Sequence, residues 1–172
     1  NIHGLAYEHI KPLAISGLML QGSLLDKIAQ KDFLQHTPYH TFSYTVKFLR
    51  ESAIDPKVKS IKITIYRLAS VSHIASSLIN AAKNGKNVTV QIELQARFDE
   101  AANAEQMQRE GVKLIFGVTG LKVHCKACMI EREEKGKLKR YGFISTGNFN
   151  GSTAKIYTDY TLFTTNEIIL KE

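Results

Sequence analysis

The sequence predicts an α/β fold, a mixed and largely parallel sheet flanked by helices. Between Val58 and Phe116, three strand-like segments are separated by two segments of helical period, and such β–α–β–α–β alternation makes parallel strands. From Lys122 to Thr164 the strand-like runs follow one another without helices, so the sheet continues in a second style. Hydrophobic residues make up 44% of 172, one domain's worth and enough for a buried core.

The elements follow in order. Residues 1–22 are loosely patterned and read as a preceding linker or domain edge, with the domain proper at 23–172. A short helix is expected from about Ser23 to Gln30, then a strand at Phe33 to Gln35. Pro38-Tyr39-His40-Thr41 forms a turn into a helix on which Phe42, Val46, Leu49 and Ala53 recur at helical spacing until Pro56 stops it. Val58 to Tyr66 is a strand with Ile61, Ile63 and Ile65 on one face. Ser72 can cap the next helix, which carries Ile74, Leu78, Ile79 and Ala82 and ends at Asn84-Gly85. Val88 to Leu94 alternates as a strand, Asp99 to Glu110 is helical and closes at Gly111, and Val112 to Phe116 is the next strand. Lys122 to Arg132 and Lys139 to Ser145 are strands joined by the polar turn Glu133 to Lys137. Ser145 to Asn150 is a loop, and Thr158 to Thr164 is the last strand.

The formal net charge of +7 raises the local concentration of polyanions, although a solvated lysine surface has the same composition. No run approaches the ~18 apolar residues of a membrane span, and no secretory leader is visible. The expected compartment is therefore the cytoplasm, with membrane association of a parent protein left open. The two cysteines, Cys125 and Cys128, stand three apart on a predicted strand, so their thiols point in opposite directions and a structural or incidental role is expected.

In parallel sheets ligands bind beyond the carboxyl ends of the strands. Arg67 follows Lys62-Ile63-Thr64-Ile65-Tyr66, and Arg97 follows Glu93-Leu94-Gln95-Ala96. Both are planar donor forks suited to phosphate oxygens. The strongest local signal is Lys122-Val123-His124-Cys125-Lys126. On a strand, His124 and Lys126 project to one face, where an imidazole can attack phosphorus and an ammonium can stabilise the phosphoryl oxygens. Downstream, Thr146-Gly147-Asn148 offers a glycine for close backbone approach and an amide for an oxygen. The bland alternative for His124 is a structural, partly buried histidine. His3, His9, His36, His40 and His73 have no metal-ligand spacing, no nucleotide-cradling glycine loop follows a strand, and no basic–aromatic stripe suggests a nucleic-acid partner.

A histidine-x-lysine pair followed by such a Gly/Asn loop resembles the half-site of the phospholipase D superfamily. A closer resemblance is carried by Ile65-Tyr66-Arg67, Glu93 to Glu100, Gly120 to Lys126, Thr146 to Asn150, Thr153 to Tyr160 and Pro38 to Phe42, which in this order resemble the bacterial polyphosphate kinases. The resemblance runs from about Gly22 to Thr164. It implies a phospholipase D-like catalytic half-domain that works in reversible transfer of the terminal phosphate of ATP to inorganic polyphosphate. His124 falls on the family's phosphorylated histidine and Tyr157 on its nucleotide-contacting tyrosine. Arg67 and Arg97 fall on positions tied to Mg²⁺. A guanidinium has no lone pair to give, so those arginines are expected to act through phosphate oxygens. Lys126 is the expected stabiliser of the transferring oxygens, Asn148 and Lys122 are placed with the substrate, and Asp159 or Glu93 is a candidate to orient the ring of His124.

The resemblance implies partners as well: ATP or ADP, polyphosphate, a second catalytic domain of the same parent chain, and a homo-oligomeric parent. A single half-site is expected to be an excised first carboxyl-terminal domain, inactive alone. Between Phe98 and Gly111 the chain is shorter than the family's pattern by about one helical turn of ~3.6 residues. Two rivals remain at this stage. One is a phospholipase D-type phosphodiesterase or nuclease, which resolves the same intermediate with water. The other is a polyanion-binding module without turnover.

Overall fold

The computed structural model describes residues 11–66, 72–93 and 101–171, with only the backbone of 101–103. The described elements run α1 (Leu24–Ile28), β1 (Phe33–Thr37), α2 (Ser43–Ile54), β2 (Val58–Ile65), α3 (His73–Lys83), β3 (Asn87–Ile92), α4 (Ala101–Arg109), β4 (Lys113–Phe116), β5 (Ala127–Glu134), β6 (Lys137–Ser145), a 3₁₀ turn (Thr153–Lys155) and β7 (Asp159–Thr164). No described helix is long and apolar enough to cross a membrane.

The strands form one mixed sheet in the order β1-β7-β6-β5-β2-β3-β4. Parallel pairing is confined to β2–β3 and β3–β4; β2–β5, β5–β6, β6–β7 and β1–β7 are antiparallel. The expectation of a largely parallel sheet is thus corrected among the described strands. Only the βαβ units need a crossover, whereas the strands after β4 turn back directly. Among the described residues the helices that flank the sheet pack in one layer, α1 against α2, α2 against α3 and α3 against α4. The apolar sets of β2 and β3 meet this layer, while Lys62, Thr89, Gln91 and Met129 line a hollow on the opposite face with Leu170.

One row of side chains shows why the sheet holds. Phe33, Phe163, Phe143, Cys128, Ile63, Val90 and Leu114 are successive cross-strand partners, all but the edge residue Leu114 buried. Phe143 and Phe163 of this row pack edge to face with centroids 5.4 Å apart, and Phe48 of α2 meets Phe143 the same way at 5.1 Å. Helix ends follow the chemistry expected of them. Ser72 caps α3 by accepting the Ala75 N–H at 3.2 Å, and Gly85 leaves it at φ +77°. Lys135 and Gly136, at φ +50° and +75°, make the two-residue turn of the β5–β6 hairpin. The strands run further into that turn than the sequence suggests, because the polar residues on both sides of it still pair across the ladder as Glu133↔Leu138 and Glu134↔Lys137.

At the end away from the parallel strands' carboxyl termini, Arg132 ties three elements together. Its guanidinium reaches Asp55 at 2.8 Å, Glu134 at 2.7 Å and Asp26 at 3.5 Å. Tyr141 donates its hydroxyl to Glu134.

Candidate active site

Because β5 runs antiparallel to β2, its amino end meets the carboxyl ends of β2 and β3, and the segment bearing His124 arrives there. The strand anticipated from Lys122 is corrected: the ladder starts at Ala127, and residues 122–126 lie outside it. Side chains satisfy the backbone of this segment instead. The Val123 N–H donates to Glu93 Oε2 at 2.7 Å. The hydroxyl of Thr64 donates to the Cys125 carbonyl at 2.8 Å and accepts the Ala127 N–H at 3.0 Å. Lys126 Nζ donates to the His124 carbonyl at 2.6 Å. On the other side, the Ser145 N–H donates to the Lys126 carbonyl at 2.8 Å.

His124 itself is exposed. Tyr66, one residue beyond β2, meets its ring edge-on with centroids 6.4 Å apart at 77°. Lys122, also exposed, places Nζ 5.6 Å from the centroid of the same tyrosine. Among the described residues, no hydrogen bond reaches the ring nitrogens of His124. Lys126 is only 8% exposed. Burial, helped by the positive charge of Lys122, pushes its ammonium below the usual lysine range, against the pull of Cys125, Tyr66 and Asp159. Cys125 is exposed, whereas Cys128 lies in the core, where burial pushes its thiol up.

The loop after β6 forms the second wall. Thr146 donates its hydroxyl to Asp159 Oδ1 at 2.8 Å and accepts the Tyr160 N–H at 3.0 Å, while the Gly147 N–H donates to Ser145 Oγ at 3.2 Å. Gly147 is needed for close approach of Asp159: a Cβ there would stand 2.1 Å from Asp159 Oδ2. Asn148 and Tyr157 are exposed, Tyr157 to 62%. Asp159 and Glu93, the two acids considered as ring orienters, are bonded to Thr146 and to the Val123 backbone.

Arg67 and Arg97 lie outside the described residues, as do residues 98–100 of the shortened segment. The described residues contain no group of three or more His, Cys, Asp or Glu side chains able to hold a metal ion.

Sequence reasoning missed what holds the His124 segment. Glu93 falls by alternation on the polar side of its strand, yet it is 7% exposed because the backbone at Val123 covers it. Thr64 carried a signal, a polar β-branched residue between Ile63 and Ile65 at a strand's end. The separations of 30 residues to Val123 and 61 to Cys125 gave no hint of its partners or those of Glu93.

Comparison with known proteins places this geometry. The family model described as "Polyphosphate kinase C-terminal domain 1" matches residues 23–172. The polyphosphate kinase of Escherichia coli K12 is 50% identical over 150 residues, 86% of this chain and 22% of that protein. That of Vibrio vulnificus YJ016 is 46% identical over 166 residues, 95% of this chain and 24% of that protein. The chain thus spans less than a quarter of these relatives' length. The crystal structure of polyphosphate kinase from Porphyromonas gingivalis superposes with a TM-score of 0.84 at 42% identity, covering 94% of this chain and 27% of that one. Nuc, a phospholipase D family member from Salmonella typhimurium, shares the fold, with a TM-score of 0.63 at 17% identity over 82% of this chain and 87% of that one.

Proposed function

Since the chain belongs to the polyphosphate kinase C-terminal domain 1 family, we propose that it supplies the phosphoryl-accepting histidine of an ATP:polyphosphate phosphotransferase. The observation that carries this reading is His124. Its imidazole is exposed at the carboxyl ends of the parallel strands, free of hydrogen bonds to described residues, on a backbone pinned from both sides. A neutral ring nitrogen attacks the γ-phosphorus of ATP; the N–P bond forms as the bond to the bridging oxygen breaks, and ADP leaves with that electron pair. A terminal oxygen of polyphosphate then attacks phosphorus, and the N–P bond breaks to restore the imidazole. The same steps reversed make ATP.

Phosphoryl transfer asks for positioning and charge neutralisation more than covalent elaboration. In this reading Lys126 has two roles. It neutralises charge on the transferring oxygens, and through the His124 carbonyl it holds the backbone from which the imidazole projects. Exposed Asn148, Lys122 and Tyr157 meet the nucleotide and phosphates, Tyr157 by offering its ring face to the base. Arg67 and Arg97 bind phosphate oxygens. Mg²⁺ arrives on the phosphates of nucleotide and polymer and so counts as part of the substrate. A second half-site from the parent protein completes the centre, and the isolated chain is expected to bind polyphosphate without turnover.

The test is made on the full-length parent, with His124 intact and as His124→Ala, incubated with Mg²⁺ and γ-labelled ATP. Loss of both acid-labile protein label and labelled polymer in the variant is the expected result. Polymer synthesis that persists in His124→Ala removes His124 from the chemistry. Label that appears in the wild type but is released only to water points to the phosphodiesterase reading.

A further inference from the structure

We infer that Glu93 is a positioning residue for His124, acting through the backbone of Val123, with Thr64 as its counterpart on the far side. This deepens the proposed function and rests on it for the role of His124. The physical need is plain. Segment 122–126 has no ladder partners on the β2 side, and it leaves Gly120, at φ +74°, where the chain turns sharply. A segment so placed would swing about Gly120, carrying the imidazole with it, unless its peptide groups were anchored. The N–H just before His124 is held by Glu93 at 2.7 Å, and the carbonyl just after it by Thr64 at 2.8 Å. The two anchors stand at the carboxyl ends of neighbouring parallel strands, Thr64 just inside β2 and Glu93 just past β3, which are in register through Ile65 and Ile92. The nucleophile therefore inherits the rigidity of the sheet without belonging to it.

Glu93 touches neither the ring nor an exposed surface, so it is not a catalytic residue. Its contribution is geometric, and misplacement of a reacting group by about 1 Å costs on the order of 10²-fold in rate. What the site requires from it is an acceptor oxygen at that point, which a glutamine can also present.

The experiment uses the full-length parent as wild type, Glu93→Ala, Glu93→Gln, Thr64→Val and His124→Ala, measuring phosphoenzyme formation and amide hydrogen exchange across residues 121–127. Glu93→Ala is expected to form phosphohistidine about 10²-fold more slowly, with the KM for ATP changed by less than about threefold. Glu93→Gln should recover to within a few-fold of wild type, and Thr64→Val, nearly the same shape, should behave like Glu93→Ala. The Val123 amide should exchange faster in Glu93→Ala and not in Glu93→Gln. Wild-type labelling in a folded Glu93→Ala enzyme, or a Glu93→Gln enzyme as slow as the alanine variant, would overturn the inference. If Glu93→Ala does not fold, Thr64→Val decides by the same readouts. Absence of label on wild-type His124 refutes the kinase reading, while the exchange measurement still decides whether Glu93 and Thr64 anchor the segment.

Discussion

Replacing Gly147 by alanine puts one methyl group where no room exists. The new Cβ would lie 2.1 Å from Asp159 Oδ2, 2.2 Å from its Cγ and 2.8 Å from its Cβ. Rotating the carboxylate away does not suffice, because Asp159 Cβ is itself too close, so the loop or the start of β7 must retreat by about 1 Å. Retreat stretches the bond from Thr146 to Asp159, now 2.8 Å, and displaces Asn148 on the same loop. Overpacking of this kind costs about 1–3 kcal/mol. For a chain of this size that corresponds to a fall in Tm of roughly 2–4 °C per kcal/mol. Phosphoenzyme formation in the parent should fall by about 10²-fold, by the same positional sensitivity that applies to any loop carrying substrate contacts. The assay is urea unfolding of the chain alongside labelling of the parent, in a double-mutant cycle with Asp159→Ala, which removes the two nearest atoms. Gly147→Ala should cost at least about 1 kcal/mol less in the Asp159→Ala background. Equal costs in the two backgrounds would refute the steric argument.

Other expectations follow from the same geometry. Gly142→Ala drives a Cβ to 2.4 Å from the Cys128 carbonyl and 2.6 Å from Leu170, and since the first is sheet backbone it should destabilise by about 3 kcal/mol or more, read by urea unfolding. Arg132→Leu leaves Asp55 and Glu134 without their cation and should cost about 3–5 kcal/mol at neutral pH, with stability recovering in part when Asp55 is also changed to Asn. Burial raises the Asp55 carboxyl but is outweighed by the Lys57 N–H and Arg132; burial likewise raises Glu134 but yields to Tyr141 and Arg132, so both titrate below their ordinary values. A depressed carboxylate stabilises fully above its unfolded pKa, near 4, and that stability is lost as pH falls through the folded value. Urea midpoints measured downward from pH 6 should therefore drop more steeply for wild type than for Arg132→Leu, and parallel curves would contradict this assignment.

The elements were legible because their signals are local. Ser72 and Gly85 mark the ends of α3 by chemistry a few residues long, and the alternation of Ile61, Ile63 and Ile65 fixes which face of β2 is buried whatever its neighbours. Strand direction was less legible. Periodicity is blind to the sign of the strand vector, and the parallel units seen first in the chain suggested a parallel majority that the turn at Lys135-Gly136 and the return of β7 beside β1 reverse. The single helix layer was equally hidden. Nothing in the local pattern of β5 and β6 says whether a helix or the stretch ending at Leu170 covers their second face.

For the site, the candidate nucleophile could be proposed from the sequence, and the bonds that support its segment could not. His124, Lys126 and the Gly147-Asn148 loop stand out in the sequence because the proposed phosphate chemistry calls for those residue types. Lys126 was expected to face the ligand beside His124. It is buried and also holds the His124 carbonyl, a bond that spacing alone could not show because the ladder begins only at Ala127. The support is encoded as side-chain bonds to backbone from Glu93 and Thr64, ordinary strand residues by composition, 30 and 61 positions away from their partners. Such bonds exist only after the β2–β3 pair has formed, since each anchor is a residue at that pair's carboxyl end. The order of assembly therefore carries a functional consequence. Weakening the β2–β3 register loosens the segment that carries His124 before it exposes the core, so, on the proposed function, phosphorylation of His124 should be lost at lower urea concentration than the helical signal of the same protein.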